Sequence, residues 1–364
     1  MSRLRELGLS VGLGTPGPLN AITDVEGVRV GHATIVRGDG ALEPGVGPVR
    51  TGVTIVRPRP GPAWCEPAFA GAHRLNGNGE MTGLEWIREA GTLTSEIGIT
   101  NTHSVGVVRD ELCAIERRER GPGPAWSLPV VGETWDGVLS DVDGQHVAVE
   151  HVREALASAR SGPVPEGAVG GGTGMICHGF KGGIGTASRV LERDAGGYTV
   201  GVLVQANHGR RQHLCVDGAH VGRVLGADRV PLPGPPPEGA GSIIVIVATD
   251  APLLPGQCDR LAQRATIGVA RAGGGCEDSS GDLFLCFATG NRGLPSSGYD
   301  SIAPLTSDVR TVSNPYMTPL FDAVAEATEE AILNALLAAE TMTGRDGVTA
   351  YALAATTLLQ ALRA

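Results

Sequence analysis

Apolar residues along the chain recur at two spacings, and these sort it into strands and helices. Mostly apolar runs bounded by turn residues at 53–56, 103–108, 198–206, 243–248 and 283–288 read as buried strands. Segment 188–206 reads as a hairpin: 188–192 leads into a turn at 194–197, and 198–206 returns to end at Asn207-His208-Gly209. Helical spacing marks 83–89, 146–160, Pro255–Arg271, 318–342 and 351–362. Within 146–160, Val147, Val149, Val152, Leu156 and Ala157 fall on one side, with Glu150, Arg153 and Glu154 among the polar positions. Pro255–Arg271 runs into glycines at 273–275, and Gly344 is the expected stop for the long Ala/Leu/Glu-rich helix. Past residue 242 the order is strand, helix, strand, helix. The pattern is α/β, without an internal repeat.

The junction before 243–248 breaks the rhythm. A tether, Pro231-Leu-Pro-Gly-Pro-Pro-Pro-Glu-Gly-Ala-Gly241, ends abruptly, and the longest purely aliphatic stretch of the chain follows Ser242. Ser242 thus carries a hydroxyl at the start of a core strand, preceded by a residue with no Cβ to restrict the backbone. A self-cleaving precursor needs this arrangement: the hydroxyl attacks the preceding carbonyl, the peptide becomes an ester, and water releases a chain beginning at Ser242. The freed α-amine, with a reference pKa of about 7.7–8.0, can then serve as base for its own hydroxyl. The same residues also fit an ordinary loop feeding an ordinary strand. Because the tether runs straight into the core, it reads as a processing loop inside one domain, 1–364. The expected cut between Gly241 and Ser242 leaves chains 1–241 and 242–364.

Composition narrows the classes. Hydrophobic residues make up 41% and aromatics 4%, so the core is aliphatic and packed around small side chains. A formal charge of −10 with scattered basic residues excludes a nucleic-acid surface, which needs a concentrated basic patch. Seven cysteines, odd in number and without a C-x-x-C pair, fit reduced thiols in the cytoplasm. The first residues lack the apolar core of a signal peptide, and the aliphatic run at 243–248 is too short to span a bilayer. A cytoplasmic protein without membrane or nucleic-acid partners is expected.

Several strings imitate motifs. Gly12-Leu-Gly-Thr-Pro-Gly17 matches the dinucleotide fingerprint letter for letter, but Pro16 and Pro18 disrupt it and no strand–helix context surrounds it. Gly174–Lys181 resembles a phosphate loop with Phe180 inserted before the lysine and Gly182 where magnesium needs Ser or Thr. Asp141-Val-Asp143-Gly144 has its glycine too early for calcium. No histidine lies in a recognised metal pattern, and Cys177-His178 reads as a core or loop pair, so no metal and no cofactor are expected. What remains are glycine-rich segments around polar residues. Lys181 is the only lysine among 29 basic residues. Asn207 closes a strand and can offer an amide N–H to an oxyanion. Ser280 and Asp282, in a loop ahead of the strand at 283–288, could face Ser242.

Taken in order, Asn20–His32, Arg50–Thr54, Gly71–Glu80, Glu133-Thr-Trp-Asp-Gly137, the Lys181 loop, Asn207-His-Gly209, Gly241-Ser-Ile-Ile244 and Ser280-Gly-Asp282 resemble the L-aminopeptidase/D-esterases and β-aminopeptidases, a family of self-processing hydrolases. The resemblance runs nearly end to end. It implies a four-layer αββα sandwich, similar to Ntn-hydrolases but differently connected. It implies Ser242 as both autoproteolytic residue and N-terminal nucleophile, Asn207 as oxyanion donor, and Ser280 and Asp282 as groups tuning its proton transfers. Glu133 would anchor the substrate ammonium. Trp135 stands where some members are expected to place a tyrosine near the oxyanion. Substrates would be short peptides, amides or esters with a free amine, and the enzyme a tetramer of processed chain pairs needing no metal. Two other classes stay open: a self-cleaving acyltransferase like the ornithine acetyltransferases, which use threonine, and an uncut small-molecule binding protein.

Overall fold

The structure, a computed structural model, describes residues 2–123, 126–234, 241–295 and 303–364. Positions 235–240 of the predicted tether lie outside the described residues. Strands β1 (Arg29–Arg37), β2 (Val49–Arg57), β5 (Ile97–Asn101) and β6 (Val130–Thr134) form one sheet in that order. A second sheet has the order β4-β3-β12-β11-β10-β9, from β4 (Thr92–Leu93) and β3 (Ala68–Gly77) at one edge through β12 (Ser280–Ala288) and β11 (Gly241–Thr249) to β10 (Thr199–Asn207) and β9 (Gly183–Val190). Two ribbons, β7 (Ile176–Cys177) with β8 (Phe180–Lys181) and β13 (Met342–Thr343) with β14 (Thr349–Ala350), complete the strands among the described residues. The helices are α1 (Leu84–Ala90), α2 (Val105–Arg120), α3 (Val149–Ser158), α4 (Val221–Val224), α5 (Pro255–Arg271), α6 (Thr318–Ala338) and α7 (Ala355–Ala361).

Three apolar layers separate four structural ones. The first, with Val202, Val204, Val245, Val247, Leu261 and Ile332, lies between the six-stranded sheet and α5/α6. A second, with Val56, Ile97, Ile99, Leu203, Ile244 and Ile246, fills the gap between the sheets. The third, with Val53, Ile55, Val108, Leu112 and Val152, lies between the four-stranded sheet and α2/α3. Alternation along β11 explains its unbroken apolar run: Ile243, Val245 and Val247 face the helices, while Ile244, Ile246 and Ala248 face the other sheet. β11 and β12 are parallel and joined by α5, and β5 and β6 are parallel and joined by α2, the crossover that parallel strands require. All other pairings in the two sheets are antiparallel.

Five expectations need correction. Residues 103–108 are a one-turn 3-10 helix running into α2, not a strand. Val105, Val108 and Leu112 are buried at i, i+3 and i+7 against the sheet, and this packing overrides the β-branched character of the segment. The helix expected over 318–342 ends at Ala338, because Met342 and Thr343 pair with Thr349 and Ala350 before Gly344 is reached. The helix expected over 351–362 is only α7. Ser280, Gly281 and Asp282 belong to β12, since they pair with β11. On α3 the buried alanine is Ala155, and Ala157 is exposed. The dinucleotide look-alike is a loop whose Leu13 and Gly14 amides both donate to the Glu326 carboxylate, so its anion is a side chain of α6.

Close approach of α6 to β9 depends on Gly185, where a Cβ would lie 1.9 Å from the Ala331 carbonyl oxygen. Gly185→Ala is therefore expected to destabilise the fold by about 1–3 kcal/mol, read as a lowered urea midpoint. An unchanged midpoint would show that helix and sheet are not in contact at this point.

Candidate active site

Strand register assembles the site from three segments distant in sequence. Asn207, the last residue of β10, pairs with Ser242, the second of β11, and Ser242 pairs in turn with Gly281 of β12. By the alternation of β11, Ser242 shares the sheet-facing side with Ile244 and Ile246. It is 5% exposed. Its hydroxyl donates to the Gly241 carbonyl at 2.7 Å and accepts the Gly281 N–H at 3.2 Å. The Ser242 oxygen thus rests against the carbonyl of the residue before it. Gly241 permits this: a Cβ there would lie 3.0 Å from the Asn207 carbonyl oxygen and 3.1 Å from His208 Cα.

The Asn207 amide is held at both ends. Its Oδ1 accepts the Ile176 N–H at 2.7 Å, and its Nδ2 donates to the Trp135 carbonyl at 2.9 Å, leaving one N–H free of that bond. Trp135 therefore meets Asn207 through its backbone oxygen, a contact that any residue type could supply. Two residues earlier, on the same face of β10, Gln205 Nε2 donates to the Thr100 carbonyl and to Thr134 Oγ1. That pair of bonds ties the two sheets together beside the site.

Glu133 reaches the site from the opposing sheet. Its Oε1 accepts the Glu80 N–H at 2.9 Å, and Thr102 Oγ1 donates to Oε2. A Cβ at Gly79 would touch both Glu133 Oε1, at 3.1 Å, and Gly281 Cα, at 3.0 Å, so the carboxylate lies one glycine away from the strand residue paired with Ser242. Burial raises the Glu133 carboxyl above its ordinary range, against the pull of its Thr102 and Glu80 hydrogen bonds. Such a group gains by pairing with a cation.

Ser280 and Asp282 flank Gly281, and alternation turns them away from Ser242 Oγ. They pair with each other instead: Ser280 Oγ donates to Asp282 Oδ1 at 2.6 Å. Asn76 Nδ2 donates to Asp282 Oδ2 at 2.6 Å. Burial raises the Asp282 carboxyl, while these bonds and the Ile243 N–H hold it down. The pair therefore stands beside the backbone at Gly241 and Ser242. Asn76 and Thr102 carry no motif of their own, and only the tertiary contacts single them out.

Next to Asn207 opens a cavity of about 620 Å³, lined among others by Trp135, Val138, Ile176, Leu232 and the Arg210–Glu277 ion pair. Lys181 takes no part in it. Its buried Nζ donates to the carbonyls of Met175 at 2.7 Å, Gly182 at 3.0 Å and Gly172 at 3.4 Å, which staples the glycine-rich loop behind the site. Burial pushes its pKa down to about 7, with Asp136 and Cys177 opposing.

A hydroxyl, an amide and buried carboxylates around a strand-initial serine define a class: hydrolases of the Ntn type. The chain matches peptidase family S58 over residues 20–350. It is 50% identical over 358 residues to the beta-peptidyl aminopeptidase BapA of Sphingosinicella microcystinivorans, covering 95% of this chain and 88% of that protein. Among solved structures, a Burkholderia sp. beta-aminopeptidase superposes with a TM-score of 0.93 at 58% identity, over 100% of this chain and 98% of the other. The L-aminopeptidase D-Ala-esterase/amidase of Ochrobactrum anthropi, described as a prototype for the serine aminopeptidases and a variant of the Ntn hydrolase fold, gives 0.89 at 40%, over 100% and 98%. The chain belongs to peptidase family S58. It is an aminopeptidase with a four-layer variant of the Ntn-hydrolase fold, which sets aside the binding-protein reading. Among the described residues, no helix is long and apolar enough to cross a membrane.

The staple role of Lys181 is testable. Lys181→Met strands three buried carbonyls, and a stability loss of about 2–4 kcal/mol is expected in urea unfolding. Full stability in that variant would show that the loop is held by other means.

Proposed function

We propose that the chain is an autoproteolytically activated N-terminal serine aminopeptidase, and the observation that carries this reading is the Ser242 hydroxyl lying against the Gly241 carbonyl. In self-processing, Ser242 Oγ attacks the Gly241 carbonyl carbon and the peptide nitrogen leaves with a proton. The resulting ester is hydrolysed by water, giving a carboxylate at Gly241 and a free α-amine on Ser242. In turnover that amine takes the hydroxyl proton as Oγ attacks the substrate carbonyl, then returns it to the leaving amine. Asn207 Nδ2 supplies a fixed dipole to the oxyanion. The Ser280–Asp282 pair hydrogen-bonds around the new α-amine and sets its basicity.

Glu133 holds the substrate ammonium, and the cavity beside Trp135 and Ile176 receives the apolar part of the ligand. A relative named for beta-peptidyl substrates, at 50% identity, favours short peptides or amides with an N-terminal β-amino acid. The working enzyme is read as a cytoplasmic tetramer of processed chain pairs, in keeping with seven free cysteines.

Cleavage after residue 241 of the 364 divides 37.3 kDa in proportion to length into about 25 and 13 kDa. Denaturing mass spectrometry is expected to find these two species, the smaller beginning Ser-Ile-Ile-Val. Ser242→Ala is expected to remain a single chain without amide hydrolysis; a processed, active Ser242→Ala enzyme would refute the mechanism.

Ammonium capture needs Glu133 ionised. Because its carboxyl is raised, binding fades as pH falls through a value above the ordinary carboxylate range. Glu133→Gln is expected to raise KM for β-aminoacyl anilides about 10–100-fold and to remove its share of the acid limb of kcat/KM. An unchanged KM would assign the ammonium to another group.

A further inference from the structure

Directly behind Asn207 lies a cluster that the hydrolytic reaction leaves unused. Cys177, His178 and His208 each offer one ligand atom, and the three atoms lie within 4.8 Å of one another. The residues are 0%, 0% and 2% exposed. Cys177 Sγ is 3.8 Å from His208 Nδ1. His178 Nδ1 lies 3.1 Å from the Arg210 carbonyl oxygen and so carries the proton, leaving the lone pair on Nε2. An imidazole whose second nitrogen donates to a backbone carbonyl is oriented as metal-bound histidines are.

Both Nε2 atoms, of His178 and of His208, are buried without a hydrogen-bond partner. Two orphaned ring nitrogens on imidazoles that cluster with one thiol are unusual, since buried polar side-chain atoms are ordinarily paired. The rings are also confined. A Cβ at Gly209 would lie 2.3 Å from His178 Cε1, and one at Gly274 would lie 2.4 Å from His208 Cδ2, so neither imidazole can swing far from the cluster. Gly179, Gly209 and Arg210 line the neighbouring cavity, which offers a route inward.

We propose that Cys177, His178 and His208 bind a borderline-soft divalent metal ion of the zinc class, and that occupancy slows turnover through Asn207. One thiolate and two imidazoles suit such an ion, with a water completing a tetrahedron. With bonds of about 2.0–2.3 Å the donors must draw together by roughly an ångström. The thiol proton is released to solvent as the sulfur–metal bond forms. His208 is covalently joined to Asn207, so the contraction moves the amide set opposite Ser242. Misplacement on that scale at a reacting centre costs as much as about 100-fold in rate. This second clause rests on the oxyanion role of Asn207, whereas binding itself does not.

Cobalt(II) is the probe, added to the untagged processed enzyme with reducing agent removed. One equivalent per chain is expected to give a thiolate-to-cobalt band in the near ultraviolet and tetrahedral visible bands. Cys177→Ser, nearly isosteric, and His178→Gln are expected to lose the near-ultraviolet and tetrahedral spectra respectively, with far-ultraviolet circular dichroism unchanged. Cys215→Ser, a control for the Cys215–His220 pair, is expected to keep both. Absence of a thiolate band in the wild-type enzyme, or its survival in Cys177→Ser, would overturn the site. For the coupling, kcat is expected to fall at least tenfold at saturating cobalt with KM little changed, and Cys177→Ser to escape. Stoichiometric binding through Cys177 with unchanged kcat would overturn the coupling. Binding by the uncut Ser242→Ala chain separates the site from the hydrolytic mechanism.

Discussion

Pairing of β10 with β11 and of β11 with β12 is the constraint on which the rest of the site depends. It places Asn207, Ser242 and Gly281 in one row across the sheet. A slip of one residue along β11 would exchange its two faces, sending Ile244 and Ile246 toward the helices and the Ser242 hydroxyl away from the opposing sheet. Burial of both faces makes that slip very costly. The hydrophobic layers that stabilise the fold therefore also aim the Ser242 hydroxyl.

The two sheets must in turn keep a fixed separation, because Glu133 and Trp135 come from one and Ser242 and Asn207 from the other. Aliphatic packing is broad and tolerant of small shifts, whereas the Gln205 bonds to Thr100 and Thr134 are directional. Gly171 lets a backbone loop press onto that amide, since a Cβ there would lie 2.2 Å from Gln205 Oε1. Lys181 fastens the same loop from its other end. Polar groups inside the sandwich thus act as spacers around the gap, held by backbone oxygens and a hydroxyl, while Gln205 Oε1 itself is buried without a hydrogen-bond partner.

Electrostatics within the gap follow from the same burial. Glu133 and Asp282 are both raised by desolvation, yet their surroundings differ. Glu133 is met by one backbone N–H and one hydroxyl, which leaves it suited to a cation. Asp282 is engaged by Ser280, Asn76 and the Ile243 N–H, which suits it to hold a neighbour in place. Identical chemistry is divided into two tasks by the number of donors that each carboxylate already accepts.

Much of this was legible in the linear chain. Apolar, often β-branched runs between turn residues marked β11, the hairpin β9–β10 and most of β12, because a strand buried on both faces leaves little freedom in composition. Helix α5 was readable to the residue, since Pro255 suits a first turn and the glycines beyond Arg271 suit an ending. The Gly241–Ser242 junction and the Glu133 and Asn207 motifs were visible as residue types. What the chain could not express was convergence. The segment 103–108 is as β-branched as a strand, and only its docking against the sheet makes it helical. Ser280 and Asp282 looked like loop residues because strand pairing, a long-range property, decides their state. Asn76, Thr102 and the imidazoles behind Asn207 acquire meaning only when segments more than thirty residues apart are brought together. Local sequence set the elements through backbone sterics and side-chain periodicity; register and layer packing, which depend on contacts between distant residues, decided which polar groups share the site.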